Sequence, residues 1–355
     1  MTSHPIVSGA LDDRHEQLVI VEDPGVGLMA VICIDSTVLG PADGGVRMFP
    51  YATLEAAIGD VTHLARAMTL KWAVAGVARG GGKAVIVGDP AGDKSAELFQ
   101  RFGMVVESLN GRYWAGADAG ITLDDLEQIN TATSFVSTLP IHAGGSGDIG
   151  PFTAAGVLHG MRACLGRVRG DTTLAGRKVA LQGLGSCGMA ALAQLVGEGS
   201  DVVVTDTDPT KVGAAVAAHG VRAVEPHEIL SVSADVFAPF ALGGVIDRPT
   251  AEGLDVAIVA GSANNVMADD DAEAVLVDRG ITYAVDFVTN AGGAIADAHR
   301  LDVRGGDLGS LDRELAAIGQ RVLDVLDRAD DADLLPSDAA RTMAEERLEG
   351  ARAGA

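Results

Sequence analysis

The sequence predicts two α/β domains, each a sheet covered by helices, and three observations carry that expectation. Short apolar runs alternate with segments of helical periodicity along most of the chain. The length, 355 residues, is about twice that of an ordinary domain. The glycine-rich stretch Ala143-Gly-Gly-Ser-Gly-Asp-Ile-Gly150 interrupts the pattern and reads as a hinge. The expected division is 1–142, then 143–325, then a helical segment 326–355 packing back toward the first domain.

Each element follows from its own signal. Val19–Val21 and Met29–Ile34 are strands separated by the turn Asp23-Pro24-Gly25. Leu54 to Met68 repeats apolar residues at helical spacing, and Lys83–Val87 is a strand closed by Gly88-Asp89-Pro90. Ser95 caps a helix running to Leu109, and another covers Pro151 to Leu165. The clearest strand–helix–strand unit is Lys178–Gln182, a helix over 186–197, and Asp201–Thr205. Val236–Ala238, Val256–Ala260 and Tyr283–Val285 continue the strands, and the tail from Leu311 is helical. Strands alternating with helices imply a parallel sheet.

Composition narrows the function classes. A net charge of −23 argues against binding a phosphate backbone, so no nucleic-acid partner is expected. No run of 18 apolar residues predicts a membrane span, and the opening Met1-Thr-Ser-His-Pro-Ile6 lacks the pattern of a secretory leader. Cys33, Cys164 and Cys187 are far apart, which predicts neither disulfides nor a metal site and suits a reducing, cytoplasmic compartment.

Gly183-Leu-Gly185-Ser186-Cys187-Gly188 directly follows a strand and opens a helix. Gly183 permits the turn, Gly185 admits a pyrophosphate to the backbone N–H groups, and Gly188 lets helix and strand pack closely. Asp206, 18 residues after Gly188, ends the next strand and can accept from ribose hydroxyls. With Asp208 nearby it would repel a 2′-phosphate, so NAD is expected rather than NADP. The second domain is therefore expected to be a Rossmann-type doubly wound NAD domain, and the first an α/β substrate domain, with a cleft between them.

Lysine occurs only five times, and two of the five, Lys71 and Lys83, lie 12 residues apart. Lys83 ends Gly80-Gly81-Gly82-Lys83, three glycines read as a strand mouth where backbone and substrate approach closely. Two ammonium groups in one partly dry site would lower each other's proton affinity and make a base near neutral pH. Asp118 sits in an apolar, glycine-rich setting where a lone acid is unexpected. Each of these has a plainer reading, a surface lysine or a turn aspartate.

These segments resemble the glutamate/leucine/phenylalanine/valine dehydrogenase family, in its amino-acid dehydrogenase branch. The matching stretches are Val77–Pro90, Leu39–Ala42 with Gly44-Gly45 and Arg47, Met68–Lys71, Gly261–Asn265, Asn290–Gly293 and Met343–Arg347, in the same order. The resemblance implies that Lys71 binds the substrate α-carboxylate beside the Gly44-Gly45 backbone, Lys83 activates water, and Asp118 shuttles protons at the amine. It implies that Asn265 holds substrate and nicotinamide in register and that Thr153 contacts the nicotinamide amide. The implied reaction is NAD-dependent, reversible oxidative deamination of an L-amino acid to a 2-oxo acid and ammonia by a homo-oligomer.

By the same resemblance the side-chain pocket is lined by Asp43, Gly116, Ala294 and Asp297. Two acids suit an isobutyl or phenyl group poorly, and Gly116 and Ala294 leave room. That predicts a long polar or cationic substrate side chain. The alternative is that Asp43 and Asp297 face solvent or pair with Arg47 or Arg300, leaving an enzyme for phenylalanine, leucine or valine. A glutamate dehydrogenase is disfavoured, because the acids would repel a γ-carboxylate. A non-catalytic NAD-binding relative is disfavoured because Lys71, Lys83, Asp118 and Asn265 are all present.

Overall fold

Side-chain alternation along two strands, β3 (Ala42–Phe49) and β4 (Gly80–Val87), decides where the chemistry of the first sheet can sit. In the computed structural model, which describes residues 15–302 and 308–354, the chain forms two compact units. Among the described residues, 15–147, 300–302 and 344–354 belong to the first and 148–299 and 308–343 to the second. The opening segment examined for a leader lies outside the described residues.

The first unit carries a five-stranded sheet in which β1 (Gln17–Asp23) and β2 (Leu28–Ser36) precede β3, α1 (Leu54–Ala75) and β4, followed by α2 (Ala96–Ser108), β5 (Tyr113–Ala117) and α3 (Leu123–Asn130). The order is β1-β2-β4-β3-β5, antiparallel through β1, β2 and β4 and parallel through β4, β3 and β5. Val46, Met48, Ala84 and Ile86 pack with Phe99, Phe102 and Leu126 on one face. On the other face Val31, Cys33 and Val85 pack against Ala57, Val61 and Ala65. With a period of two, Asp43, Gly45 and Arg47 of β3 and Lys83 of β4 take this α1 side.

α1 starts at Thr53, whose side chain accepts from Ala56 N, and ends at Gly76 in the left-handed conformation. It runs past the expected end at Met68, so Lys71 lies on the helix rather than after it. Arg347 donates to Ala73 O (2.8 Å) and Val77 O (3.3 Å), satisfying carbonyls at that helix end. Asp35, buried at the end of β2, accepts from Thr69 Oγ1 of α1 at 2.5 Å and meets His15 Nδ1 at 2.6 Å.

Two strands of this sheet had no clear sequence signal. β3 reads Ala-Asp-Gly-Gly-Val-Arg-Met-Phe, its β-formers broken up by glycines and charges, and β5 reads Tyr-Trp-Ala-Gly-Ala, two β-formers followed by small residues. The three glycines before Lys83 lie inside β4, not at its mouth. A Cβ on Gly80 would meet Ser36 O at 2.0 Å, one on Gly81 would meet Thr69 Oγ1 at 2.0 Å, and one on Gly82 would meet the Tyr113 ring at 2.8 Å. Their lack of side chains lets β4 pack against the β2 backbone, α1 and the Tyr113 ring.

The second unit contains α4 (Gly150–Arg169), β6 (Lys178–Gln182), α5 (Ser186–Gly197), β7 (Asp201–Thr205), α6 (Pro209–His219), β8 (Arg222–Ala223), β9 (Val236–Pro239), α7 (Arg248–Gly253), β10 (Ile258–Val259), α8 (Ala272–Asp278), β11 (Thr282–Tyr283), α9 (Asp286–Thr289), α10 (Gly292–Asp302) and α11 (Leu308–Ala332). α12 (Pro336–Gly354) begins in this unit and ends in the first. All six strands are parallel, in the order β11-β10-β9-β6-β7-β8. Counted from β6, that is 3-2-1-4-5-6, the doubly wound order whose ligand crevice opens at the C-terminal ends of the central strands.

Candidate active site

Register brings the polar residues of the first unit together. β3 and β5 pair in parallel with Gly45 opposite Gly116 and Val46 opposite Ala117, so Arg47 falls beside Asp118, one residue beyond β5. Lys83 Nζ lies 3.0 Å from Asp118 Oδ2, and Arg47 Nε donates to the same oxygen at 2.8 Å. Arg47 also donates through Nη1 to Asp60 Oδ2 of α1 at 3.0 Å, and Tyr51 OH donates to that same oxygen.

Gly45 makes this meeting possible. A Cβ there would stand 2.6 Å from Ala117 O, 2.7 Å from Asp118 Cβ and 3.0 Å from Lys83 Nζ. Gly44 is as constrained, since its Cβ would stand 1.8 Å from Gly82 O. The carbonyls around it are fixed by side chains, Trp72 Nε1 donating to Asp43 O (3.0 Å) and Tyr113 OH to Gly44 O (2.7 Å).

The lysine side chain is almost wholly buried, and burial pulls its pKa down, with Arg47 adding to the effect and Asp118 opposing it. Burial pushes the Asp118 carboxyl up, but Lys83 and Arg47 outweigh that and hold it below the ordinary carboxylate range. Arg47 is thus a cation that acts on Lys83, one that the sequence reading of two paired lysines did not include. Lys71 stands half-buried on α1.

The pocket expectations fare differently. Asp43 and Asp297 are 3% and 5% exposed, so neither faces solvent, and Arg47 is engaged by Asp118 and Asp60. The space at Gly116 is not open either. A Cβ there would meet Ser137 Oγ at 2.9 Å and Thr138 Oγ1 at 3.2 Å, two buried hydroxyls that sequence reasoning missed. Ala294 is half-buried on α10.

In the second unit the glycine turn has the predicted form. Gly183 has φ +101°, and a Cβ on Gly188 would stand 2.0 Å from Gly183 O. α5 begins at Gly185 with no side-chain cap, so its first N–H groups are available to an anion. Asp206 accepts from Leu184 N (2.6 Å) and Asp208 N (2.9 Å), which fixes its carboxylate at the mouth of the turn. Ser186 Oγ donates to Asp148, whose other oxygen accepts from Gly150 N at 2.9 Å, and burial pushes the Cys187 thiol up to about 11.

This donor set fits a dinucleotide: backbone N–H groups for the pyrophosphate and Asp206 for the ribose. Thr153 lies on α4, and a Cβ on Gly293 would stand 2.6 Å from its Oγ1. Asn265 takes φ +52°, a strained position for a non-glycine residue, and Asp286 Oδ2 accepts from the following N–H, that of Val266, at 3.1 Å. Among the described residues there is no cluster of three metal-ligating side chains and no helix long and apolar enough to cross a membrane.

Residues 15–135 match the model described as Glu/Leu/Phe/Val dehydrogenase, dimerisation domain. Residues 210–298 match the model described as Glutamate/Leucine/Phenylalanine/Valine dehydrogenase. A phenylalanine dehydrogenase from Caldalkalibacillus thermarum is 41% identical over 95% of this chain and 92% of its own. A leucine dehydrogenase from Thermoactinomyces intermedius is 42% identical over 94% of this chain and 91% of its own. Among solved structures, L-tryptophan dehydrogenase from Nostoc punctiforme superposes with a TM-score of 0.82 at 35% identity, covering 96% of this chain and 97% of that one.

These relatives are named for apolar or aromatic amino acids, so the expectation of a long cationic side chain finds no support among them. Sequence, topology and the lysine–aspartate pair agree on one assignment: the chain belongs to the glutamate/leucine/phenylalanine/valine dehydrogenase family, NAD(P)-dependent oxidoreductases acting on CH–NH2.

Proposed function

We propose that this protein catalyses NAD-dependent, reversible oxidative deamination of a hydrophobic L-amino acid. The observation that carries the chemistry is the pairing of buried Lys83 with half-buried Asp118 at 3.0 Å. The named substrates of the relatives support an aliphatic or aromatic side chain. Asp206, lodged at the glycine turn, supports NAD over NADP because its charge opposes a 2′-phosphate. Bound NAD supplies the acceptor for the hydride that leaves the substrate Cα.

The chain's own residues do the rest. Lys71 binds the α-carboxylate and Asn265 orients the amino acid. Asp118 takes a proton from the substrate amine. Lys83, its proton affinity reduced by burial, withdraws a proton from the water that attacks the imine carbon. Asp118 then returns its proton to nitrogen and, as ammonia leaves, accepts the proton of the carbinolamine hydroxyl, which leaves the 2-oxo acid. The match of residues 15–135 to a dimerisation-domain model supports a homo-oligomer.

The test is NADH formation by the purified protein with single L-amino acids at alkaline pH. Turnover is expected with phenylalanine, leucine, valine or tryptophan. Turnover confined to arginine, lysine or ornithine would sink the hydrophobic reading while keeping the chemistry.

A further inference from the structure

Asp118 is held by two cations on one oxygen, Lys83 Nζ at 3.0 Å and Arg47 Nε at 2.8 Å. Only one of them has to give up a proton. A lysine paired alone with a carboxylate in a dry site stays protonated, because losing the proton strands the anion. Arg47 cannot be deprotonated at any working pH, so it can satisfy Asp118 throughout the cycle.

The arginine is itself pinned. Its Nη1 donates to Asp60 on α1 at 3.0 Å, and Tyr51, in the segment after β3, donates to the same Asp60 oxygen. Burial works against the charge of Arg47, yet Asp118 and then Asp60 raise its pKa above the ordinary value. β3 and α1 thus hold the guanidinium against Asp118, and β4 brings Lys83 to the same oxygen. Both donors converge on Oδ2 of Asp118.

We propose that Arg47, anchored by Asp60 and Tyr51, is a positioning residue that carries the charge of Asp118 so that Lys83 can be neutral and act as the base. The inference rests on the reading of Lys83 given above and extends it to the group that sets its protonation. Among the other titratable groups, Asp43 on β3 and Tyr113 on β5 lie near the pair, the Tyr113 phenol feeling both Asp43 and Asp118, while Lys71 stands on α1.

The experiment compares wild type, R47Q, R47K and D60N, each checked for folding by thermal melting. The pH profile of kcat/KM for oxidative deamination is measured alongside a substrate-free NMR titration of 13Cε-labelled lysine, which has only five lysines to resolve. R47Q removes a repelling cation and leaves Asp118 to Lys83 alone. The acidic limb and the Lys83 titration should both move up by about one pH unit, with kcat at neutral pH down roughly tenfold and KM within about threefold.

R47K restores the charge and should bring the limb back. D60N removes an anion and should move Lys83 down by a few tenths of a pH unit, on the order of a single partly screened charge. Opposite signs in the two variants are not produced by a general loosening of structure. A folded R47Q with the wild-type profile and wild-type Lys83 titration overturns the proposal. If R47Q does not fold, R47M, which also removes the cation, is read in the same two titrations: an upward Lys83 shift supports the proposal and no shift or a downward one overturns it. A wild-type protein without turnover, but with these shifts in the lysine titration, would fail the functional reading and leave the charge assignment standing.

Discussion

Gly45 sets the distance between Lys83 and Asp118. Replacing it with alanine would put a Cβ 2.7 Å from Asp118 Cβ and 3.0 Å from Lys83 Nζ, so the pair has to separate. G45A should lower kcat/KM at least tenfold, at a stability cost of about 1–3 kcal/mol from overpacking. Steady-state kinetics and urea unfolding would separate the two effects. Lys83 also leaves a signature in stability. Its folded pKa lies below its unfolded one, so between those values the unfolded chain binds more protons and stability rises with pH. K83M should flatten that rise in unfolding experiments from neutral pH to about pH 10. Asp118 acts in another window: its depressed pKa contributes stability above the usual carboxylate value, lost as pH falls through the folded value.

α1 joins several parts of the first unit. It covers one face of the sheet, carries Asp60 and Lys71, and has its C-terminal carbonyls bound by Arg347. R347A should cost about 1–2 kcal/mol by leaving those carbonyls less well satisfied. Because Lys71 lies one turn before that end, KM for the amino acid should rise more than kcat falls. Steady-state kinetics of R347A beside the wild type would show it. α1 also shows how much was legible beforehand. Its start at Leu54 followed from apolar spacing, but the last turn, through Trp72 to Ala75, needed the sheet beneath it to be seen. α5 was legible from end to end, because the glycine turn marks its start. β3 and β5 were not: backbone carbonyls crowd the β3 glycines, the Ser137 and Thr138 hydroxyls crowd Gly116 of β5, and these glycines interrupt the β pattern. Losing those strands also hid Arg47, because only the parallel register with β5 brings it to Asp118. Lys83 and Asp118 could still be picked out, as rare charges in apolar surroundings. Ser137 and Thr138, in a segment without regular pattern, gave no signal at all.

At the scale of the whole chain, a net charge of −23 on 355 residues stores self-repulsion that salt can screen. The melting temperature should therefore rise when sodium chloride is raised from about 20 mM to about 500 mM, with the Debye length shrinking severalfold. A fall in melting temperature would mean that attractive pairs such as Arg47–Asp60 outweigh the general repulsion.

The packing of Gly80, Gly81 and Gly82 against Ser36, Thr69 and Tyr113 has a bearing on how such an enzyme can be altered. Any side chain at these three positions collides with backbone, helix or ring, so random libraries that include them would return mostly inactive clones. These three positions of β4 are closed to variation, whereas Ala294, proposed from the family resemblance to line the substrate pocket, already carries a side chain and is half-buried. A directed-evolution campaign would spend its diversity there and leave the glycines untouched.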